Sequence, residues 1–296
     1  MAGTGSSEQA RATIGILGGT GLYEIDGIKD ARVVRLRTPF GDPSDPFVIG
    51  AYEGVQVAFL ARHGRGHRLL PAEVNYRANI FGFKKLGVER IISVNSVGSL
   101  REDIRPRDIV LADQFFDRTR RPSTFFGGGI VAHVSLGQPV CWELAGILHD
   151  AAHGAGLRVH RGGTYICIDG PAFSTKGESL IYRSWGCDVI GMTSATEARL
   201  CREAEICYVT LSLATDYDVW HETEEPVTVE LVLQNLSHNI ANAKVVLKKA
   251  LAALGKKRAR ACDCGVSLKN TIVTAPSAIP AAIRKKLGPL IDKYLR

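Results

Sequence analysis

Apolar runs rich in β-branched residues alternate with stretches of helical spacing along almost all of the 296-residue chain. The runs are "TIGILG" (13–18), "VQVAFLAR" (55–62), "RIISVNSV" (90–97), "DIVLADQFFD" (108–117), "GTYICIDG" (163–170), "DVIGMT" (188–193) and "CYVTLSLATDYD" (207–218). Between them, residues 71–87, 141–156, 174–186 and 195–204 carry helical patterns, and 228–254 sustains one for about seven turns. Such a chain buries its strands by covering the faces of a sheet with helices. The expectation is an α/β fold: a single domain with a mixed central β-sheet surrounded by helices. No internal repeat and no Pro-, Gly- or Ser-rich linker divides it. Residues 13–254 therefore read as one domain, residues 1–12 as a disordered N-terminus, and 255–296 as a basic C-terminal extension with a Cys-x-Cys segment and a helix.

Hydrophobic residues make up 45% of the chain and charged residues 23%, enough apolar material for a large core. No apolar run approaches the ~18 residues of a membrane span, and "MAGTGSSEQARA" lacks the apolar centre of a secretory signal. No membrane partner and a cytoplasmic location are expected. The net charge of +7 raises the question of nucleic acid. Much of it sits in "KKRAR" (256–260) and "RKK" (284–286), without interleaved aromatic residues to stack on bases, so these read as solvated runs. A positive balance suits a small anionic substrate equally well.

Of the seven cysteines, Cys167, Cys187, Cys201 and Cys207 fall in or beside core elements, where free cysteine is a small hydrophobe. Cys262 and Cys264 lie in polar tail sequence. Cys-x-Cys without a second pair at ligand spacing is a weak metal signal.

The chemistry gathers where apolar runs end. "GILGGTGLYE" (15–24) offers glycines and the Thr20 hydroxyl, but neither the P-loop nor the dinucleotide spacing; it is a tight turn or an anion site. "LARHGRGHR" (60–68) closes its run on Arg62 and His63, and the Arg62 fork suits phosphate oxygens. "SVNSVGSLR" (93–101) ends in Asn95, Ser96 and Ser99, and "GMTSAT" (191–196) stops at Thr193. "LATDYDVW" (213–220) finishes on Asp216 and Asp218, two residues apart and so on one face of a strand. Their mutual repulsion needs a metal, a basic partner or a proton-accepting ligand. Hydroxyl and basic groups for an anion, with carboxylates for a base, describe a phosphate-plus-heterocycle site.

These blocks, together with "TPFGDPSDP" (38–46), "NYRANIFGFKKLGV" (75–88), "SVGSLREDIRPRDIVLADQFFDRT" (96–119) and "GPAFSTKGES" (170–179), resemble the 5′-methylthioadenosine phosphorylases, trimeric members of the purine nucleoside phosphorylase family. The resemblance runs from about residue 13 to 254, and "CDCGVSLKN" (262–270) is similar to archaeal members. It implies a purine nucleoside phosphorylase-like fold and the phosphorolysis of 5′-methylthioadenosine to adenine and 5-methylthioribose 1-phosphate. Inorganic phosphate is then a co-substrate, and neither metal nor organic cofactor is implied. Carried over by position, Thr20, Arg62, His63, Asn95, Ser96 and Thr193 would surround the phosphate. Met192 would lie under the ribose, and Phe173 and Ser174 beside the base. Asp216 would face N7 of the purine as its acid, and Asp218 the 6-amino edge. Val229, Val232 and Leu233 would line a slot for the methylthio group, which His133 of a neighbouring subunit would enter. A homo-oligomer, trimer or hexamer, follows. The alternative is a 6-oxopurine nucleoside or methylthioinosine phosphorylase, whose sites typically present asparagine where this chain has Asp216. Some relatives carry Thr-Ala where this chain has Asn95-Ser96. Ala172 stands where arginine is common, and Thr196 where proline often precedes the glutamate, here Glu197.

Overall fold

In a computed structural model, residues 11–23, 26–221, 229–256 and 259–295 are described. The elements in chain order are β1 (Ile14–Gly18), β2 (Lys29–Val34), β3 (Phe47–Tyr52), β4 (Val55–Ala61), α1 (Tyr76–Lys85), β5 (Arg90–Ser99), β6 (Ile109–Leu111), β7 (Gln114–Asp117), α2 (Trp142–His153), β8 (Val159–Arg161), β9 (Thr164–Cys167), α3 (Lys176–Ser184), β10 (Val189–Gly191), α4 (Ser194–Glu203), β11 (Cys207–Asp216), α5 (Val229–Lys256) and α6 (Ala281–Ile291). All eleven strands join one mixed sheet, ordered β2-β3-β4-β1-β5-β10-β9-β7, with β11, β6 and β8 branching from β5.

The branch at β5 positions everything that follows. Its first residues pair in parallel with β1, from Ile14 opposite Arg90 to Leu17 opposite Ser93. β1 then ends, and β10 arrives antiparallel against Gly98 and Ser99. On its other edge β5 pairs with β11 along nearly its full length. The carboxyl ends of β1, β4, β5, β10 and β11 thus converge where one neighbour of β5 stops and another begins. Ligand clefts in α/β sheets form at such points.

β1 and β11 are buried throughout, as expected for strands packed on both faces. The run 108–117 is interrupted: β6 stops at Leu111 and β7 starts at Gln114 in another part of the sheet. Two strands leave no apolar run in the sequence. β2 (KDARVV) is an exposed edge strand with three charged residues among its six, and β8 has only three residues; the apolar, largely buried β3 (FVIGAY) lies outside the runs above. β3 and β4 form a hairpin whose Glu53 and Gly54 sit at φ 49° and 75°, the left-handed pair that a two-residue turn requires.

The tail packs onto the body, while Arg284 and Lys285 of its basic run stay exposed. Lys286 lies 4.5 Å over the Phe40 ring, Arg260 pairs with Glu89, and Tyr294 and Lys293 both reach the buried Glu205. Residues 1–10, most of the segment read as a disordered N-terminus, lie outside the described residues. Ala12 is already buried, its N–H donating to the Leu86 carbonyl at 3.0 Å.

Candidate active site

Arg62 shows how the strand ends build the cleft. It follows β4 directly, its N–H donates to the Gly18 carbonyl at 2.9 Å, and the pairing of β1 with β4 thereby carries it past the sheet edge. Its side chain is 1% exposed. Nε donates to Glu197 at 2.5 Å, Nη1 to the Val94 carbonyl at 3.1 Å and Nη2 to Ser93 at 2.7 Å. A guanidinium has five N–H donors, so each terminal nitrogen keeps one uncommitted. Gly19 makes this approach possible: a Cβ there would sit 2.5 Å from the Val94 carbonyl oxygen and 2.8 Å from Arg62 Nη1. The glycine-rich stretch is a tight turn, Leu22 N–H closing on the Gly19 carbonyl at 3.1 Å with Gly21 at φ 79°. Its Thr20 lines the cleft.

The cleft has a volume of about 350 Å³. Thr20, Arg62, His63, Asn95, Ser96, Met192, Thr193, Phe173, Ser174, Asp216 and Asp218 all line it, so eleven residues singled out in the sequence meet in one place. Thr193 is the N-cap of α4 and its hydroxyl makes no capping bond. The first N–H groups of α4 therefore lack side-chain partners at the cleft, where they favour an anion. Asn95 Nδ2 lies 2.6 and 2.8 Å from the Thr210 and Ser194 hydroxyls, while Oδ1 is buried without a partner. Both hydroxyls donate as well as accept. The opposite amide orientation pairs Oδ1 with them and frees the NH2 group as a donor.

His63 departs from its expected part as a basic group. Burial, reinforced by the Arg62 charge, pushes it down to about 3, and Nδ1 lies 2.9 Å from the Leu69 carbonyl. A carbonyl only accepts, so Nδ1 carries the proton and Nε2 presents a lone pair. The imidazole is neutral at physiological pH, stacked at 4.4 Å on His67, which also lines the cleft. Positive charge at this end comes from Arg62.

The acidic end is built by a bulge. β11 pairs regularly with β5 up to Ala214, then shifts register so that Asp216 faces Gly98. The backbone carbonyls turned out by the shift are taken by α5: Asn239 donates to Ala214 at 2.9 Å and Asn235 to Thr215 at 2.7 Å. Bulges re-aim a side chain in this way at the cost of ladder bonds. Strand alternation does not pair the two acids, because β11 ends at Asp216 and Asp218 turns back at φ 52°. Its N–H donates to Asp216 Oδ1 at 2.8 Å, and the Thr215 hydroxyl to Oδ2 at 2.6 Å. Gly98 accommodates the carboxylate, since a Cβ there would lie 2.9 Å from Asp216 Oδ1.

Neither acid has a cationic partner among the described residues, so burial decides their protonation. It raises Asp216 above the usual carboxylate range and pushes Asp218 up to about 6, with the Asp216 charge adding to the second shift. Asp218 Oδ2 is buried and makes no hydrogen bond. Gly98 lies three residues beyond Asn95, about 10 Å along a strand. The cleft therefore holds an anion-binding end and a carboxyl end about 10 Å apart.

Two residues that hold the site together have no assigned role in the sequence. Glu197 is fully buried, and besides Arg62 it accepts from Ser93 at 2.6 Å and Tyr208 at 2.9 Å. Arg121 donates to the Met192 carbonyl and the Pro71 carbonyl, each at 3.0 Å, and to Asp169 at 3.1 Å, drawing three cleft segments onto one guanidinium. In the sequence Arg121 was one more charge in the run "DRTRRP". The side chains of Val229, Val232 and Leu233 lie outside the described part of α5. His133 is exposed, held by its backbone to the Thr271 carbonyl, and does not line this chain's own cleft.

The pattern of the phosphorylase superfamily matches residues 13–252. The chain is 56% identical over 285 residues to the S-methyl-5′-thioadenosine phosphorylase of Koribacter versatilis, covering 96% of this chain and 97% of that protein. It is 54% identical over 284 residues to that of Geobacter sulfurreducens, covering 95% and 99%. Among solved structures, a methylthioadenosine phosphorylase from an antarctic soil metagenomic library superposes with a TM-score of 0.90 at 46% identity, covering 96% of this chain and all of that one. The methylthioadenosine phosphorylase of Schistosoma mansoni in complex with adenine gives 0.80 at 36% identity, covering 84% and 93%.

Proposed function

The chain belongs to the phosphorylase superfamily, and from that premise we propose that it cleaves 5′-methylthioadenosine with inorganic phosphate, releasing adenine and 5-methylthioribose 1-phosphate. The observation that supports this reading best is the two-ended cleft, with Arg62 at one end and, at the other, two buried carboxyls that have no cationic partner among the described residues.

Breaking the N-glycosidic bond leaves positive charge on the sugar and negative charge on the departing purine. Arg62, Thr20, Ser96, Thr193 and the start of α4 hold phosphate below the ring, where it stabilises the cation and then bonds to C1′. His63 Nε2, as a neutral acceptor, takes a hydrogen bond from a protonated phosphate oxygen. At the other end Asp216, whose proton affinity burial raises, donates to N7 as the base leaves. Asp218 is a carboxylate above about pH 6 and accepts from the exocyclic amine. Met192 lies under the ribose, with Phe173 and Ser174 beside the base. No step calls for a metal or an organic cofactor. The test is incubation with methylthioadenosine, adenosine or inosine in parallel, with and without phosphate. Phosphate-dependent release of adenine from methylthioadenosine is expected; release that ignores phosphate, or none from this substrate, would refute the proposal.

The methylthio pocket is proposed to be completed by Val229, Val232 and Leu233 of α5 and by His133 of a neighbouring subunit, in a trimer or a pair of trimers. Phe116, Leu180, Ile181 and Trp185 form an exposed apolar surface along β7 and α3, with Phe116 and Trp185 rings 5.4 Å apart, of the kind subunit contacts cover. Sedimentation of active enzyme should give a trimer or larger, and His133→Ala should raise KM for methylthioadenosine more than for adenosine. A fully active monomer would remove both statements.

A further inference from the structure

Far from the cleft, four cysteines meet. Cys141, Cys207, Cys262 and Cys264 have their sulfur atoms all within 4.8 Å of one another, and three of the four residues are buried. Cys207 and Cys262 come to 3.4 Å. Tetrahedral zinc at about 2.3 Å from each sulfur spaces its ligands about 3.8 Å apart, so small side-chain adjustments convert this cluster into a coordination shell. We propose that these four thiols bind one Zn²⁺ as a structural tetrathiolate site that clamps the C-terminal tail to the body.

The separate spacings in sequence hid it. Cys262 and Cys264 supply a Cys-x-Cys pair, and the missing second pair is assembled by folding from Cys141, before α2, and Cys207, the first residue of β11. Backbone bonds fix the assembly: Cys141 N–H donates to the Tyr208 carbonyl and Cys207 N–H to the Glu89 carbonyl, each at 2.9 Å. On the tail, Ala261 N–H donates to Glu143 Oε2 at 2.8 Å. Disulfides need sulfurs only in pairs, whereas convergence of all four on one point is what a tetrahedral ion requires.

The surroundings match the charge such a site carries. Binding forms four Zn–S bonds and releases four thiol protons to solvent, leaving a net charge of −2. Two guanidiniums stand beside it. Arg202 Nη1 donates to Cys264 Sγ at 3.7 Å, and Arg260 lies next to Cys207. Gly265 leaves room for that arginine, since a Cβ there would meet Arg260 Nη2 at 2.6 Å. Cys141 is the N-cap of the twelve-residue α2 and makes no side-chain capping bond, so its thiolate sits at the positive end of the helix dipole. Hydrogen-bond donors around thiolate ligands are a recurrent support for metal centres.

The full chain, purified from zinc-containing medium without chelator, should carry about one zinc per chain by elemental analysis. Cys262→Ser with Cys264→Ser should lower this to about a tenth, drop Tm by about 5 °C or more, and leave kcat/KM for methylthioadenosine within about twofold. Replacing zinc by Co²⁺ in the wild-type chain should give the intense visible bands and near-ultraviolet thiolate charge transfer of tetrahedral S₄ coordination, a readout independent of how the variant folds. Denatured in chelator without reductant, the wild-type chain should show all seven of its cysteines as free thiols. Three free thiols, from two disulfides among the four, would overturn the proposal, as would seven thiols with no zinc and no cobalt spectrum. Failure of the wild-type chain to release base from any of the three nucleosides would count against the proposed function and leave the metal content as the separate test of this site.

Discussion

Asp216→Asn should lower kcat/KM for methylthioadenosine by about 10²–10⁴, the usual worth of a positioned general acid. The carboxyl is buried, accepts from Thr215 and from the Asp218 N–H, and has no cation beside it among the described residues. Burial raises its proton affinity, which favours its delivering a proton to N7. Asparagine keeps the shape and removes that proton. The same amide can donate to a 6-carbonyl, so activity on inosine-type substrates should fall far less, or rise. The ratio of the two kcat/KM values is the measurement, because general damage to the fold cancels in it. An equal loss on both substrates would show that Asp216 does not read the base.

What was legible in the sequence followed from periodicity and from strand ends. β1, β4, β5, β9, β10 and β11 each gave an apolar run, and the polar residues closing several of these runs line the cleft. β2 escaped because an exposed edge strand has no buried face to display, and β8 because three residues make no pattern. At the site, residue type and position were readable but state and support were not. His63 looks basic in "RHGRGH", and only its burial against Arg62 shows that it is neutral. Asp216 and Asp218 come together through a bulge and a left-handed residue, neither of which has a signature in "ATDYD". Glu197 was quoted without a role because its partners Arg62, Ser93 and Tyr208 come from three other strands or strand ends. The cysteine cluster repeats this case, its four ligands spread over more than a hundred residues of chain.

Glu197→Gln should cost about 3–5 kcal/mol of stability, since it leaves a buried guanidinium without its counter-charge. Arg62 is 1% exposed and Glu197 fully buried, so water cannot replace the lost partner. Gln keeps one acceptor oxygen, which can serve Arg62 or the Ser93 and Tyr208 hydroxyls but not all three donors. Phosphate binding should weaken too, because Glu197 holds Nε and thereby aims the two terminal nitrogens; Glu197 is a positioning residue. Arg62→Ala isolates the other half, with the apparent KM for phosphate rising at least about tenfold for loss of a charged donor worth roughly 1.5–3 kcal/mol. The double variant Arg62→Met with Glu197→Leu separates the two effects. A buried pair replaced by apolar groups of similar volume is often neutral for stability, so urea denaturation should return to near the wild-type midpoint while the phosphate KM stays high. That combination, a restored fold with a lost substrate site, is expected only if the pair exists to present Arg62 to phosphate. A double variant with normal phosphate KM would mean the pair is architectural, and the anion would have to be held by Thr20, Ser96, Thr193 and the start of α4 without it.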